Sequence, residues 1–269
     1  MKKKKLINEV EMPVLGIDMQ ELREGEVYNL FRWAVKLGVY CFDCSNVLDG
    51  IKELGFGIRD ALKEDKVRRE DIFVISKFGG NETNVDEIEN KVNESLESLG
   101  IKHFDLCLLA KKDKYSDDEQ MISYWKIMEK LYKEGKCRSI GVEDMSILEC
   151  QKIMERTEIN PMVNKVLRTP YFNKKELLEW MKKNNMVMLA HSILGYEDEI
   201  LLNQEISEIA QKNKMSALEV VMVWNFMSDA AVVIKGKNVQ EIENSLKSLR
   251  YKLDENDLEK IDILRQNEV

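Results

Sequence analysis

An α/β protein built on a parallel sheet is predicted by three features of this sequence. Short apolar runs recur along the chain, amphipathic stretches of ten to seventeen residues separate them, and no Pro/Gly-rich linker or shift in composition divides the 269 residues. The strand-like runs fall at 13–17, 39–44, 72–77, 104–110, 138–142, 162–166, 187–191 and 231–235. The helical patterns lie at 27–37, 51–64, 85–99, 119–134, 147–155, 174–183, in a longer region at 204–226, and at 239–249. Gly38, Gly100 and Gly135 each follow a helical run as a C-terminal stop would. Eight strands with eight helical blocks describe a closed parallel (β/α)8 barrel, although alternation alone equally permits an open doubly wound sheet. A barrel of about 250 residues is a common single unit, so 1–269 reads as one domain with a short extra C-terminal helix at 255–264.

Composition narrows the function classes. Hydrophobic residues at 44% supply a large core, and charged residues at 33% a well-solvated surface. The net charge of −8 opposes nucleic-acid backbones, and the four lysines at 2–5 read as a solubilising tail. No run approaches the roughly 18 apolar residues of a membrane span, and the N-terminus is too short in apolar residues for a signal peptide, so the expectation is a cytoplasmic protein with neither membrane nor nucleic-acid partners. The five cysteines (Cys41, Cys44, Cys107, Cys137, Cys150) match no zinc module or redox pair and read as packing residues of a reduced compartment.

Several strings in register resemble the aldo-keto reductase family from about Leu6 to the C-terminus. Glu11-Met12-Pro13-Val14-Leu15-Gly16 is similar to its first strand. Trp125, Met128-Glu129, Leu131, Gly135-Lys136 and Ile140-Gly141-Val142 repeat its long helix and fifth strand with the spacing intact, and Asn164, Pro170-Tyr171-Phe172, Ser192, Leu194-Gly195 and the 254–262 segment follow in order. The resemblance implies the closed TIM barrel rather than the open sheet.

It also implies a site. The family reduces carbonyls with hydride from NADPH, using a tyrosine as general acid tuned by a lysine, an aspartate and a histidine at the C-terminal ends of strands two to four. By this resemblance the aspartate is Asp43 and the lysine Lys77, while the tyrosine position carries Leu48 and the histidine position Ala110. Neither leucine nor alanine donates a proton, and a positioned general acid contributes about 10²–10⁴ in rate. Further positions implied to hold the cofactor are also changed: Ser-Asn reads Glu143-Asp144, the following glutamine Lys165, the stacking tyrosine His191, and the last-strand serine Gly236. The phosphate-facing lysine is kept as Lys235, the arginine beside the 2′-phosphate becomes Glu241, and its Asn partner Ser245.

Each candidate has a plainer reading. Asp43 and Lys77 read more readily as a structural ion pair than as a working catalytic pair, because removing one partner strands a charge. His191 is a candidate base or metal ligand beside Asp43, Glu143 and Asp144, but two histidines without ligand spacing argue for no metal. Cys44 is a candidate nucleophile and more simply a packing residue. Lys111, Lys112 and Lys114 would line the mouth and hold a small anion, or merely be solvated. His103 falls on the stability face, and Gly55-Phe56-Gly57 lies inside a helix and is no phosphate loop. The reading that follows is an aldo-keto-reductase-type barrel with a dismantled tetrad and an eroded NADP site, with no cofactor, that acts by binding a protein or a small anion at its mouth. The alternatives are a divergent NAD(P)H-dependent oxidoreductase using NADP or NAD, and a cofactor-independent barrel enzyme using Lys77 and Asp43.

Overall fold

The computed structural model describes residues 2–264 apart from 21, 24, 46–49, 66, 81, 83, 111–117 and 237. Leu48 and the lysines at 111, 112 and 114 therefore lie outside the described residues. The strands are β1 (Lys3–Lys5), β2 (Glu11–Pro13), β3 (Leu15–Asp18), β4 (Cys41–Asp43), β5 (Phe73–Phe78), β6 (Leu106–Leu109), β7 (Ile140–Glu143), β8 (Val163–Leu167), β9 (Val187–His191) and β10 (Ala231–Lys235). Strands β3 to β10 pair in chain order, all parallel, and β10 closes on β3 through Val232↔Leu15 to Lys235↔Asp18. The sheet is thus the closed barrel and not the open one.

Around it lie α1 (Glu26–Leu37), α2 (Ile51–Glu64), α3 (Val85–Leu99), α4 (Asp118–Lys133), α5 (Ile147–Arg156), α6 (Lys175–Lys183), α7 (Gln204–Asn213), α8 (Ala217–Met227), α9 (Val239–Ser248) and α10 (Glu255–Asp262). Gly38 and Gly100 end α1 and α3 at φ 85° and 66°, where a Cβ would be strained. The longer helical region expected at 204–226 holds two helices, α7 and α8. Lys214 turns left-handed at φ 55°, and Ser216 opens α8 by accepting from Glu219 N while the Glu219 carboxylate accepts from Ser216 N at 2.7 Å. None of the described helices is long and apolar enough to cross a membrane.

Two expectations are corrected. The lysine run is not a tail: Lys3–Lys5 pairs antiparallel with Glu11–Pro13, and the hairpin buries Leu6 and Met12 under the barrel while Asn8 donates to the Arg138 carbonyl at 2.8 Å. Lysines suit a short edge strand because their charge discourages further pairing. Nor are all five cysteines unpaired packing residues, because Cys107 on β6 is disulfide-bonded to Cys137, whose neighbourhood bridges Phe104 ahead of β7; Cys41, Cys44 and Cys150 are free and buried. A link across 30 residues removes loop-closure entropy from the unfolded chain, so Cys137→Ala is expected to lower unfolding free energy by about 3–4 kcal/mol in urea titrations. An unchanged midpoint, or a native mass equal to that of the fully reduced chain, would count against the bond.

Candidate active site at the barrel mouth

The C-terminal ends of parallel barrel strands converge, so polar side chains there meet across the barrel while the strands themselves stay apolar. Asp18 ends β3 and Asp43 ends β4, as a register pair; Lys77 sits near the end of β5, Glu143 ends β7, and Lys165 lies beside it on β8. Lys165 Nζ is 2.7 Å from Asp43 Oδ2 and 3.4 Å from Glu143 Oε1. Lys77 Nζ is 2.7 Å from Glu143 Oε2. The ion pair expected between Asp43 and Lys77 is therefore replaced by two others, linked through Glu143. The reason is position: Glu143 on β7 and Lys165 on β8 reach across the mouth, and each holds one of those two charges.

Burial sets how firmly these charges are held. Lys165 is 2% exposed and Asp43 0%. Burial disfavours the Lys165 ammonium, yet the surrounding Asp43, Glu143 and Asp18 carboxylates outweigh it and hold its pKa above the ordinary lysine range. Burial likewise pushes the Asp43 carboxyl up, but Lys165 and the Ser45 N–H, which donates to Oδ1 at 2.9 Å, bring it net below the usual carboxylate range. Asp18 moves the other way: burial, reinforced by the Asp43 charge, raises it.

Asp18 and the crossed pairing were not read from the sequence. The signal for Asp18 was available, since an acid at the end of the first barrel strand must face the mouth. Lys165 carried a signal too, because a lysine flanked by Asn164 and Val166 inside a strand needs a buried partner.

The outer positions are occupied as well. Asp144 adopts φ 51°, accepts from Leu167 N at 2.9 Å and lies 3.4 Å from His191 Nε2. The other ring nitrogen of His191 is 3.1 Å from Ser192 Oγ, and no group of three or more His, Cys, Asp or Glu among the described residues is arranged to hold a metal. Ala110 is buried, its N–H donating to the Phe78 carbonyl at 2.8 Å. Cys44 is buried and its thiol, 3.1 Å from the Ile75 carbonyl, is pushed up to about 12 by burial and by Asp43, which leaves it no nucleophile at neutral pH. Lys235 is exposed at the end of β10, and Gly236 packs so closely that a Cβ would approach Ile17 at 2.9 Å. In α9, Asn238 caps Glu241 N at 3.0 Å and donates to its carboxylate at 3.1 Å, while the buried Ser245 hydroxyl donates back to the Glu241 carbonyl at 2.7 Å. His103 lies at the opposite end, 4.0 Å from Asp105.

The model of the aldo/keto reductase family matches residues 14–266. The chain belongs to the aldo/keto reductase family. It is 31% identical to a 9,11-endoperoxide prostaglandin H2 reductase of Trypanosoma cruzi, across 97% of this chain and 91% of that protein. It is 30% identical to a glyoxal reductase of Bacillus subtilis (98% and 93%), and 26% identical to an NAD(P)H-dependent D-xylose reductase of Candida tropicalis (96% and 90%). A solved aldo-keto reductase from a Medee basin deep-sea metagenome, MGS-M4, superimposes with a TM-score of 0.88 at 25% identity, over 98% of this chain and 95% of that one. These aldo/keto reductase relatives are oxidoreductases by name, and NAD(P)H is their cofactor where the name states one.

Proposed function

We propose that this aldo/keto reductase family member does not reduce carbonyls and acts by binding, through a barrel whose catalytic and cofactor positions are occupied by internal ion pairs. One observation carries this reading: Lys77 and Lys165, two lysines of the mouth, each sit 2.7 Å from a carboxylate. A contact carboxylate offsets part of a lysine's pull on the proton affinity of a neighbouring hydroxyl, and the position of the tyrosine it would tune carries Leu48.

The residues do not fit NAD(P)H. A carboxamide would meet Glu143 and Lys165, which are already paired with each other and with Lys77 and Asp43. The start of α9 is closed by Asn238 and Glu241, and the Ser245 hydroxyl is committed to the helix backbone. A carboxylate in that first turn opposes a phosphate, although the helix terminus alone would favour one. No step is therefore derived through the cofactor. Schiff-base chemistry at Lys165 is also disfavoured, because its raised pKa keeps it protonated. Among the described mouth groups, the carboxylates of Asp18, Asp43, Glu143 and Asp144 outnumber the ammonium groups of Lys77, Lys165 and Lys235, which favours a protein or polar ligand over a small anion there.

The competing reading, NAD(P)H-dependent carbonyl reduction, is favoured by the names of the relatives. Titration of NADPH and NADH separates the two. A ligand at 100 times its Kd stabilises the folded state by about 2.7 kcal/mol, so micromolar affinity would raise the thermal midpoint plainly at about 1 mM. The expected result is no shift with either nucleotide; a saturable shift would restore the reductase reading.

A further inference from the structure

A second recess lies on the outer wall of the barrel, at the end opposite the mouth, between α2 and the C-terminal end of α3. Its volume is about 650 Å³, and its borders include Arg69, which precedes β5, and His103, which precedes β6. Gly55 sets it up, because a Cβ there would strike the Ser98 and Leu99 carbonyls at 2.9 and 2.8 Å, so α2 crosses close over the end of α3. Ile58 and Leu99 are buried in its floor, and Phe56 and Leu62 stand exposed on its α2 side.

The charged lining is mainly of one sign. Arg59, Lys63, Arg69 and Lys102 border the recess against one carboxylate, Glu97, in a chain of net charge −8. Arg69 is already held by Asp105 at 2.9 Å and by the Ile72 and His103 carbonyls. Lys63 and Lys102 are exposed and have no ion pair among the described residues, while the Arg59 guanidinium lies 4.8 Å over the Phe56 ring and 3.9 Å from Asp60 Oδ1. Burying apolar surface beside unpaired ammonium groups rewards a ligand with an apolar body and a negative end.

Size selects a small molecule over a protein. Sites of about 300–1,000 Å³ with a mainly apolar lining and few charged groups suit small ligands. Stable protein interfaces engage roughly 20–30 residues a side, whereas fourteen line this recess. We propose that the recess between α2 and α3 binds a small soluble amphipathic anion, an apolar chain or ring system ending in a carboxylate or sulfonate. This site is separate from the mouth and stands whatever the mouth binds.

The test uses the full chain with 8-anilinonaphthalene-1-sulfonate as a fluorescent probe and decanoate as competitor. Saturable probe binding displaced by decanoate, and far less by decylammonium, is expected. The K63E/K102E double variant should weaken it by about tenfold or more, since each lost charge-assisted contact is worth about that much. Both positions are exposed, so the thermal midpoint should hold, and K63R/K102R should bind as the parent does. Parent-like binding by K63E/K102E, or equal displacement by decylammonium, would overturn the proposal. So would sedimentation of the parent as a dimer that K63E/K102E dissociates, which would make the recess a contact between copies of this chain.

Discussion

Lys165→Met is expected to lower unfolding free energy by about 3–5 kcal/mol at pH 7, because it leaves the wholly buried Asp43 carboxylate without its 2.7 Å cation. The loss has a pH signature. In the parent, Asp43 titrates below its ordinary 3.8, so its contribution is present above that value and is lost as pH falls through the lower folded pKa. Lys165 titrates above its ordinary 10.5, so its contribution is complete below that value and is lost as pH rises through the folded pKa. The pair is therefore intact from about pH 4 to about pH 10. In the variant, burial acts on Asp43 with the Ser45 hydrogen bonds but no cation in contact to oppose it and raises its pKa, so protonation relieves the stranded charge in acid. Urea titrations should show the gap between parent and variant narrowing from pH 8 to pH 4.5. Adding Asp43→Asn should recover most of the loss, since removing both charges leaves nothing stranded. A gap below about 1 kcal/mol, or one indifferent to pH, would mean that the pair is solvated rather than buried.

That prediction rests on a pairing which the sequence did not disclose, and the reason is physical. Local signals survived translation into structure where Gly38 and Gly100 stop their helices, while the Asn84 cap of α3 and the Ser216–Glu219 capping box that opens α8 stood in the sequence unread. Strand existence was also legible, because buried parallel strands read as apolar runs. The ends were less so. The first barrel strand begins at Leu15 rather than two residues earlier, because Glu11–Pro13 is diverted into the hairpin with Lys3–Lys5. What periodicity cannot carry is the identity of partners across a barrel. Asp43 and Lys77 stand on neighbouring strands and invite pairing, yet Lys165 and Glu143, far away in sequence, arrive at the same mouth and divide them. The Cys107–Cys137 bond is hidden for the same reason, since 30 intervening residues say nothing of the fact that β6 and β7 lie side by side.

The consequence for chemistry is the larger effect. Assayed beside the Bacillus subtilis glyoxal reductase, with glyoxal or methylglyoxal and either nicotinamide nucleotide, this chain is expected to show kcat/KM lower by about 10²–10⁴, the share that a positioned general acid supplies. Leucine at position 48 and alanine at 110, where the family resemblance implies a tyrosine and a histidine, would account for that much alone. The mouth adds a further obstacle. Leu48→Tyr with Ala110→His supplies the side chains but not their setting, because Glu143 at 2.7 Å offsets part of the Lys77 charge that would ease ionisation of a phenol. The double variant should therefore stay within about tenfold of the parent, whereas a family member whose only deficit was a missing proton donor would regain most of the general-acid factor. Recovery of two or more orders of magnitude would show that the ion pairs yield readily to substrate and that the site is dormant rather than converted. Parent activity within about tenfold of the glyoxal reductase would go further, requiring another proton donor at the mouth, with His191 and the raised Asp18 the groups to replace next.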